Sequence, residues 1–136
     1  MIRSFASAAL VGFILFGCTA EASKVQAMAE DSTRHLHELL AEGRYSDIYR
    51  DADAELRRSQ SEATFVSYLR DAQAQLANPR ASRQTHAGIL LERQYATVVL
   101  VYDIEVGDRI LSEEISWRVR AQTSLLDYHV ETKSPP

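Results

Sequence analysis

The chain has 136 residues, and its 15 Lys and Arg against 19 Asp and Glu give a formal net charge of -4. This balance excludes a typical nucleic-acid-binding protein, because such a protein needs a basic face to neutralise phosphates. The length fits a single domain with one core, and the single cysteine leaves no intramolecular disulfide to form.

An apolar segment at the N-terminus leads to that cysteine. Arg3 supplies a positive charge near the start, and residues 5–17 are almost all small or apolar, as in the hydrophobic region of a secretory signal. The segment is too short to span a bilayer, which takes about 20 residues. Its end, Leu15-Phe16-Gly17-Cys18, resembles the bacterial lipoprotein signal, in which diacylglycerol is attached to the cysteine and the peptide is cut just before it.

The resemblance implies that the membrane is a partner through the lipid on Cys18. We expect residues 1–17 to be the signal peptide, residues 18–23 a lipidated tether and residues 133–136 a disordered tail. The residue after the cysteine is Thr19 rather than the aspartate of an inner-membrane retention signal. This favours the periplasmic face of the outer membrane. The alternative is an ordinary signal peptide that is cut elsewhere, with Cys18 incidental.

Apolar residues at three- and four-residue steps predict helices in the first half of the domain. The first helix is expected over about 22–42, with Gly43 positioned as a left-handed C-terminal cap. A short second helix follows over 45–50, and a capping box at 59–62 opens a third helix that ends at Asn78-Pro79. The apolar stripe of the first helix is formed by Val25, Met28, Ala29, Ser32, Leu36, Leu39 and Leu40.

After the helices the period changes to two, which predicts strands. The clearest strand covers 95–106 and has one wholly apolar face, and Gly107-Asp108 supplies a tight turn into a returning strand. Flanking strands are expected over 85–92 and 125–132. In the last strand the residues expected to face the core are Leu126, Tyr128 and Val130. The order predicts an α+β domain over residues 24–132, with helices packed on the apolar face of a curved, about four-stranded antiparallel sheet.

This order, with a Trp-bearing strand and the closing Leu125-Leu126-Asp127-Tyr128-His129-Val130 strand, resembles the nuclear transport factor 2-like superfamily. The Gly43-Arg44-Tyr45 segment after the first helix is similar to small exported bacterial domains of unknown function. The resemblance implies a cone, in which the sheet wraps around the helices and often leaves a pocket, and a homodimer through the outer sheet face. Members include isomerases, dehydratases, secretion-system subunits and binding modules, so the fold alone does not decide the activity.

Acid-base catalysis in such a cone would require a buried carboxylate or histidine. Glu113 is in phase with the inward residues Ile115 and Trp117, whereas most other strand acids fall on outward faces. It lies near the hairpin mouth, so we expect its carboxylate at a water-accessible rim, with a catalytic base as the alternative. His35 and His37 are two apart on a helix and point away from each other. We therefore expect neither a metal nor another cofactor.

Five aromatic residues are candidates for the walls of a pocket: Tyr45, Tyr49, Tyr102, Trp117 and Tyr128. Rings at inward positions are usually core residues, so packing is expected to account for most of them. The alternative is that their hydroxyl and indole groups converge at one end of the cone and hold a small apolar ligand.

These features together predict a lipid-anchored protein of the cell envelope whose domain is a non-enzymatic binding or assembly module. Besides the membrane, the expected partners are a second copy or another envelope protein, and no nucleic acid. Two alternatives stay open. The first is a small isomerase- or dehydratase-like enzyme that uses Glu113 in the cone pocket. The second is a subunit of a larger envelope or secretion complex.

Overall fold

The computed structural model describes residues 15–134, with side chains from residue 20 onward. Four helices precede four strands. The helices are α1 (Leu15–Ala41), α2 (Tyr45–Asp51), α3 (Ala54–Ser59) and α4 (Glu62–Gln75), and the strands are β1 (Ala81–Leu91), β2 (Ala96–Val106), β3 (Arg109–Val119) and β4 (Thr123–Thr132). Residues 1–14 of the predicted signal peptide and the last two residues of the predicted tail lie outside the described residues.

The long helix α1 packs on the sheet through a stripe of residues three and four apart: Val25, Ala29, Thr33, Leu36 and Leu40. The stripe differs from the predicted one at one point, because Thr33 is buried and Ser32 is only partly covered. The helix also begins earlier than residue 22, and it includes the backbone of residues 18–23. Ala20, Glu21 and Ala22 favour this extension, since alanine and glutamate are strong helix formers.

Gly43 ends α1 as predicted, at a φ of 70° that glycine adopts without strain. Its N–H donates to the carbonyl of Leu40, and the next N–H, of Arg44, donates to the carbonyl of Leu39, a pattern that satisfies the last carbonyls of a helix. The predicted capping box at residues 59–62 is wrong. Ser59 is the last residue of α3, and the N-cap of α4 is Ser61, whose side chain accepts from the N–H of Thr64.

The strands form one antiparallel sheet in the order β1-β2-β3-β4, with β1 and β4 at its edges. Gly107, at a φ of 61°, makes the predicted turn between β2 and β3. The alternation of β2 and β3 buries one face, where Leu100 pairs with Ile115 and both are fully buried. The sheet edge β1 begins at Ala81, four residues before the predicted start, and contains a bulge between Gln84 and His86.

One strand prediction fails at the other edge. The register of β3 and β4 shifts between Ser116 and Trp117, so that Trp117 pairs with Leu125 while Ser116 pairs with Asp127. A bulge adds one residue to one strand and reverses the side-chain alternation beyond it. Leu125 is therefore buried, and Leu126, which was expected to face the core, is only partly covered.

The α+β class is confirmed: the helices cover one face of a four-stranded antiparallel sheet. The core lies between the two layers. Its largest fully buried apolar side chains come from both layers: Phe65, Leu56 and Leu69 from the helices, and Leu100, Leu111 and Ile115 from the strands. The carboxylate of Glu113, only 1% exposed, shares this interior.

Candidate functional site

Glu113 lies in the interior of the domain, with only 1% of its surface exposed. The phase of β3 sets this direction, because Leu111 and Ile115 on either side are fully buried as well. The expectation of a water-accessible rim is therefore wrong: although the β2–β3 turn is near, the helical layer closes over this part of the sheet. A buried carboxylate costs several kcal/mol unless it is hydrogen-bonded or paired.

Two side chains satisfy the Glu113 carboxylate. The hydroxyl of Tyr128, on the neighbouring strand β4, donates to Oε2 at 2.6 Å. Nε2 of His37, on α1, lies 2.8 Å from Oε1. The carboxylate thus joins the helical layer to the sheet, through two residues that are 76 positions apart in the sequence.

His37 connects this buried group to the surface, since 41% of its side chain is exposed. Burial opposes the charged imidazolium, but the hydrogen bond and negative charge of Glu113 outweigh it and raise the pKa of His37 above its ordinary value. The ring also meets Tyr102 edge-on, with 6.0 Å between centroids. A half-exposed imidazole oriented by a buried carboxylate can exchange protons with solvent or with a bound molecule.

Tyr128 extends the network to the fourth helix. Its hydroxyl accepts a hydrogen bond from Nε2 of Gln73, on α4, at 3.1 Å. Burial, followed by the nearby charge of Glu113, raises the pKa of Tyr128 far above its ordinary value. The phenol therefore remains protonated and acts as a permanent donor to Glu113. The chain Gln73–Tyr128–Glu113–His37 is called the Glu113 network below.

A second polar contact crosses the interior beside this network. The indole N–H of Trp117 donates to Oγ1 of Thr33 at 2.9 Å, and both residues are buried. Tyr102 stands next to them, half-buried, and burial is the main cause that raises its pKa. Three of the five aromatic candidates, Tyr102, Trp117 and Tyr128, therefore lie on the sheet face that carries Glu113.

The other two aromatic candidates lie on α2, and each has a structural partner. The Tyr49 hydroxyl donates to the backbone carbonyl of Gln60 at 2.9 Å, which ties α2 to the end of α3. The Tyr45 ring lies under the guanidinium of Arg70, 5.9 Å from its centroid. Both rings pack against the core, as expected for most of the aromatic residues, and the alternative of a ligand pocket with all five as walls stays a prediction.

Two cavities open between the described residues. The smaller, about 120 Å³, lies between α1, α2 and the sheet and is lined by Leu36, Ile48 and Trp117 among others. The larger, about 390 Å³, lies near the start of α1 and the β1–β2 turn. Neither cavity is lined by Glu113, and of the five aromatic candidates only Trp117 lines one of the two.

Among the described side chains, those of residues 20–134, no three from His, Cys, Asp or Glu gather closely enough to hold a metal ion. His35 lies on the exposed side of α1, 3.5 Å from Glu38, whereas His37 faces Glu113, so the two histidines diverge as predicted. No helix in the described range is long and apolar enough to cross a bilayer.

The pairing of His37 with Glu113 was missed from the sequence. The helical spacing contained a signal for it, because His37 comes four residues after the buried Thr33 and three before the buried Leu40. The strand phase gave the matching signal for Glu113. Each signal indicates that the side chain faces the core, but neither shows that His37 and Glu113 contact each other.

Comparison with protein-family models, curated proteins and solved structures found no match. The resemblance to the nuclear transport factor 2-like superfamily therefore stays a prediction beyond the α+β class. The function has to be inferred from the sequence pattern around Cys18 and from the contacts of the Glu113 network.

Proposed function

We propose that this protein is a lipid-anchored component of the cell envelope whose domain serves as a binding or assembly module, on the periplasmic face of the outer membrane. The observation that carries the proposal is the position of Cys18, at the end of a short apolar segment and directly after Leu15-Phe16-Gly17. The several acyl chains of a mature lipoprotein would hold it firmly, since each buried methylene contributes about 0.8 kcal/mol.

The course of α1 adds a reason why the anchor matters for the module. Cys18 belongs to the same helix that packs on the sheet farther along, through Val25, Ala29 and Leu36. An anchor on this helix keeps the domain close to the bilayer, where an envelope partner would be met. Location is then part of the function, together with whatever the domain binds.

The contacts of Glu113 favour a module over an enzyme. A general base must reach a substrate proton at hydrogen-bond distance, about 2.6–3.2 Å. Both Glu113 oxygens already have protein partners, Tyr128 and His37, and neither of the two cavities borders the carboxylate. On this interpretation, the Glu113 network is an internal brace that fixes α1 and α4 on the sheet.

We also propose that the domain has the nuclear transport factor 2-like cone. The order of helices before a four-stranded antiparallel meander agrees with that fold. A homodimer through the outer sheet face would follow from the same resemblance, and so would a role as a subunit of a larger envelope or secretion complex. Pull-down of the tagged protein that returns neither a second copy nor a reproducible envelope partner would count against both.

A second candidate function is a small isomerase- or dehydratase-like enzyme, and one observation favours it. His37 is half-exposed, is oriented by a buried carboxylate and has a raised pKa, which suits a proton-transfer group. In that case His37 would exchange the substrate proton and Glu113 would orient its ring. Small apolar carbonyl compounds can be screened for binding through shifts in the NMR signals of the His37 ring. If one of them is a substrate, Glu113→Gln should turn it over at least about 100-fold more slowly than the unchanged protein.

The proposal is tested by Cys18→Ser in the full chain. The unchanged protein should be found in the membrane fraction and incorporate labelled palmitate, whereas the variant should do neither. A matched variant, Thr19→Asp, keeps the cysteine and should move the protein from the outer to the inner membrane. Membrane fractionation of Cys18→Ser identical to that of the unchanged protein would refute the anchor.

A further inference from the structure

One end of the domain gathers three chain segments. The β1–β2 turn and the β3–β4 turn are at the same end of the sheet, because Ala96 pairs with Leu91 on one side and with Val119 on the other. The early part of α1 lies there too, since Glu21 and Val25 line the 390 Å³ cavity together with both turns. The surface formed by Leu90, Leu91, Arg93 and Arg120 is called the anchor-end surface below.

Two large apolar side chains are exposed on this surface. Leu90 is 60% and Leu91 44% exposed, and they are the last two residues of β1. Ile110, also 44% exposed, lies near the β2–β3 turn at the opposite end. With strands of 11 residues at about 3.3 Å each, the two ends are roughly 35 Å apart. Leu90 and Leu91 are consecutive in β1 and project to opposite faces of the sheet, so both faces of this strand end expose a leucine, as expected of an end that is covered end-on in use.

Cations stand beside the leucines. Arg93 and Arg120 are exposed and line the cavity with Leu91. Arg120 lies over the ring of Tyr95, with 5.6 Å between the guanidinium carbon and the ring centroid. Glu21 and Glu92 also line the cavity, so the surface is mixed rather than purely basic. Leucine, tyrosine and arginine at one edge are the composition of a membrane-interface contact, where arginine meets phosphates and leucine enters the acyl boundary.

We propose that the anchor-end surface lies on the bilayer that carries the protein's own lipid. The inference rests on the proposed acylation of Cys18. Glu21, on the rim of the cavity, follows Cys18 within one turn of α1, so the acyl chains would start only a few ångströms from this surface. A helix that continues from the anchor into the domain leaves little freedom to turn the other end toward the membrane. Leu90 and Leu91 then enter the interface, while Arg93 and Arg120 contact lipid phosphates.

The contact between the anchor-end surface and the bilayer can be measured with a fluorophore attached to a single introduced cysteine. The full chain is purified in its acylated form as Leu90→Cys, labelled with the polarity-sensitive dye NBD and reconstituted in vesicles of phosphatidylethanolamine and phosphatidylglycerol. Ile110→Cys is the matched control, with equal chemistry at the far end. We expect blue-shifted emission and at least twofold quenching by nitroxide-labelled lipid at position 90, and neither at position 110. Equal emission and quenching at both positions would overturn the proposal.

Failure of the contact and failure of the anchor can be told apart in the same sample. Acylation consumes the Cys18 thiol, so the intact mass should report one dye per chain together with the lipid. A dye on Cys18 and no lipid mass would refute the anchor itself, and the contact with it. If Leu90→Cys does not fold, Arg93→Cys in the exposed β1–β2 turn provides the second position, with the same blue shift and quenching expected.

Discussion

The Glu113 network can be tested by removing one hydroxyl group. Tyr128→Phe keeps the ring in the core, where Tyr128 is buried opposite Ile115, and deletes only the donor to Glu113. The carboxylate keeps His37 on its other oxygen but loses its buried partner. Since Glu113 is only 1% exposed, solvent has poor access to this oxygen once the phenol hydroxyl is removed.

The magnitude follows from the geometry of the lost bond. The contact is 2.6 Å long, buried and made to a carboxylate, and a hydrogen bond to a charged group contributes about 1.5–3 kcal/mol to stability. The Gln73 amide loses its acceptor as well, but it is only partly buried, so water can take over that bond. We expect Tyr128→Phe to lower the free energy of unfolding by about 2–3 kcal/mol, a large part of the roughly 5–15 kcal/mol of a typical domain.

Urea denaturation at neutral pH provides the assay, with the fluorescence of Trp117 as the probe, because this buried residue is the chain's single tryptophan. Tyr45→Phe is the matched control, since the Tyr45 hydroxyl has no hydrogen-bond partner among the described side chains and should change stability by under about 0.5 kcal/mol. A loss below about 0.5 kcal/mol in Tyr128→Phe, at an unchanged slope, would refute the argument that the carboxylate depends on this donor.

Three further predictions concern the polar groups inside the domain. Glu113 raises the pKa of His37, so the stability gained from their pairing is present below about pH 6.5 and is lost as pH rises through the folded-state pKa of His37. In Glu113→Gln only burial acts on His37, and it lowers the pKa. The unfolding free energy, measured by urea denaturation at several pH values, should then change with pH in the opposite direction. Asp53→Ala removes the α3 cap and the partner of Arg118, and should lower the unfolding free energy by about 3–5 kcal/mol in calorimetry. Trp117→Phe leaves the Thr33 hydroxyl unpaired and should lower the unfolding free energy, measured by circular dichroism, by about 1–3 kcal/mol. Adding Thr33→Val should restore part of this loss. A pH dependence of stability that is the same in Glu113→Gln as in the unchanged protein would contradict the first prediction. A loss under about 0.5 kcal/mol in Asp53→Ala or in Trp117→Phe would contradict the second or the third.

The α+β class could be predicted because hydrophobic periodicity encodes it locally. In β2 and β3 every second residue faces the core, and the turn at Gly107 needs only the positive φ that glycine allows. The long helix α1 was predicted for the same reason, since its buried stripe repeats over several turns. Its end at Gly43 is also a local signal, because the glycine there takes a left-handed conformation.

The short helix α3 and the β4 bulge depend on contacts that no local window contains. Asp53 caps α3, but it is also held by Arg118 at 2.8 Å and Ser124 at 2.7 Å, on two different strands. The bulge that turns Leu125 inward and Leu126 outward arises where β4 pairs with β3. Alternation in a sequence gives the phase of a strand, but not the point at which the phase reverses.

The candidate site was predicted only in its parts. The phase of β3 directed Glu113 inward, and helical spacing put His37 in line with Thr33 and Leu40. Their contact depends on how α1 crosses the sheet, which the sequence pattern does not determine. The rim expected for Glu113 is instead a covered position, because Tyr128 and the helical layer stand over it.

Intact-mass spectrometry of the mature protein, extracted from the envelope with detergent, tests the central claim most directly. The account predicts a chain that lacks residues 1–17, begins at Cys18 and carries the added mass of diacylglycerol and an amide-linked acyl chain on that residue. A mature chain that begins elsewhere, or one that contains Cys18 with a free thiol, would contradict it.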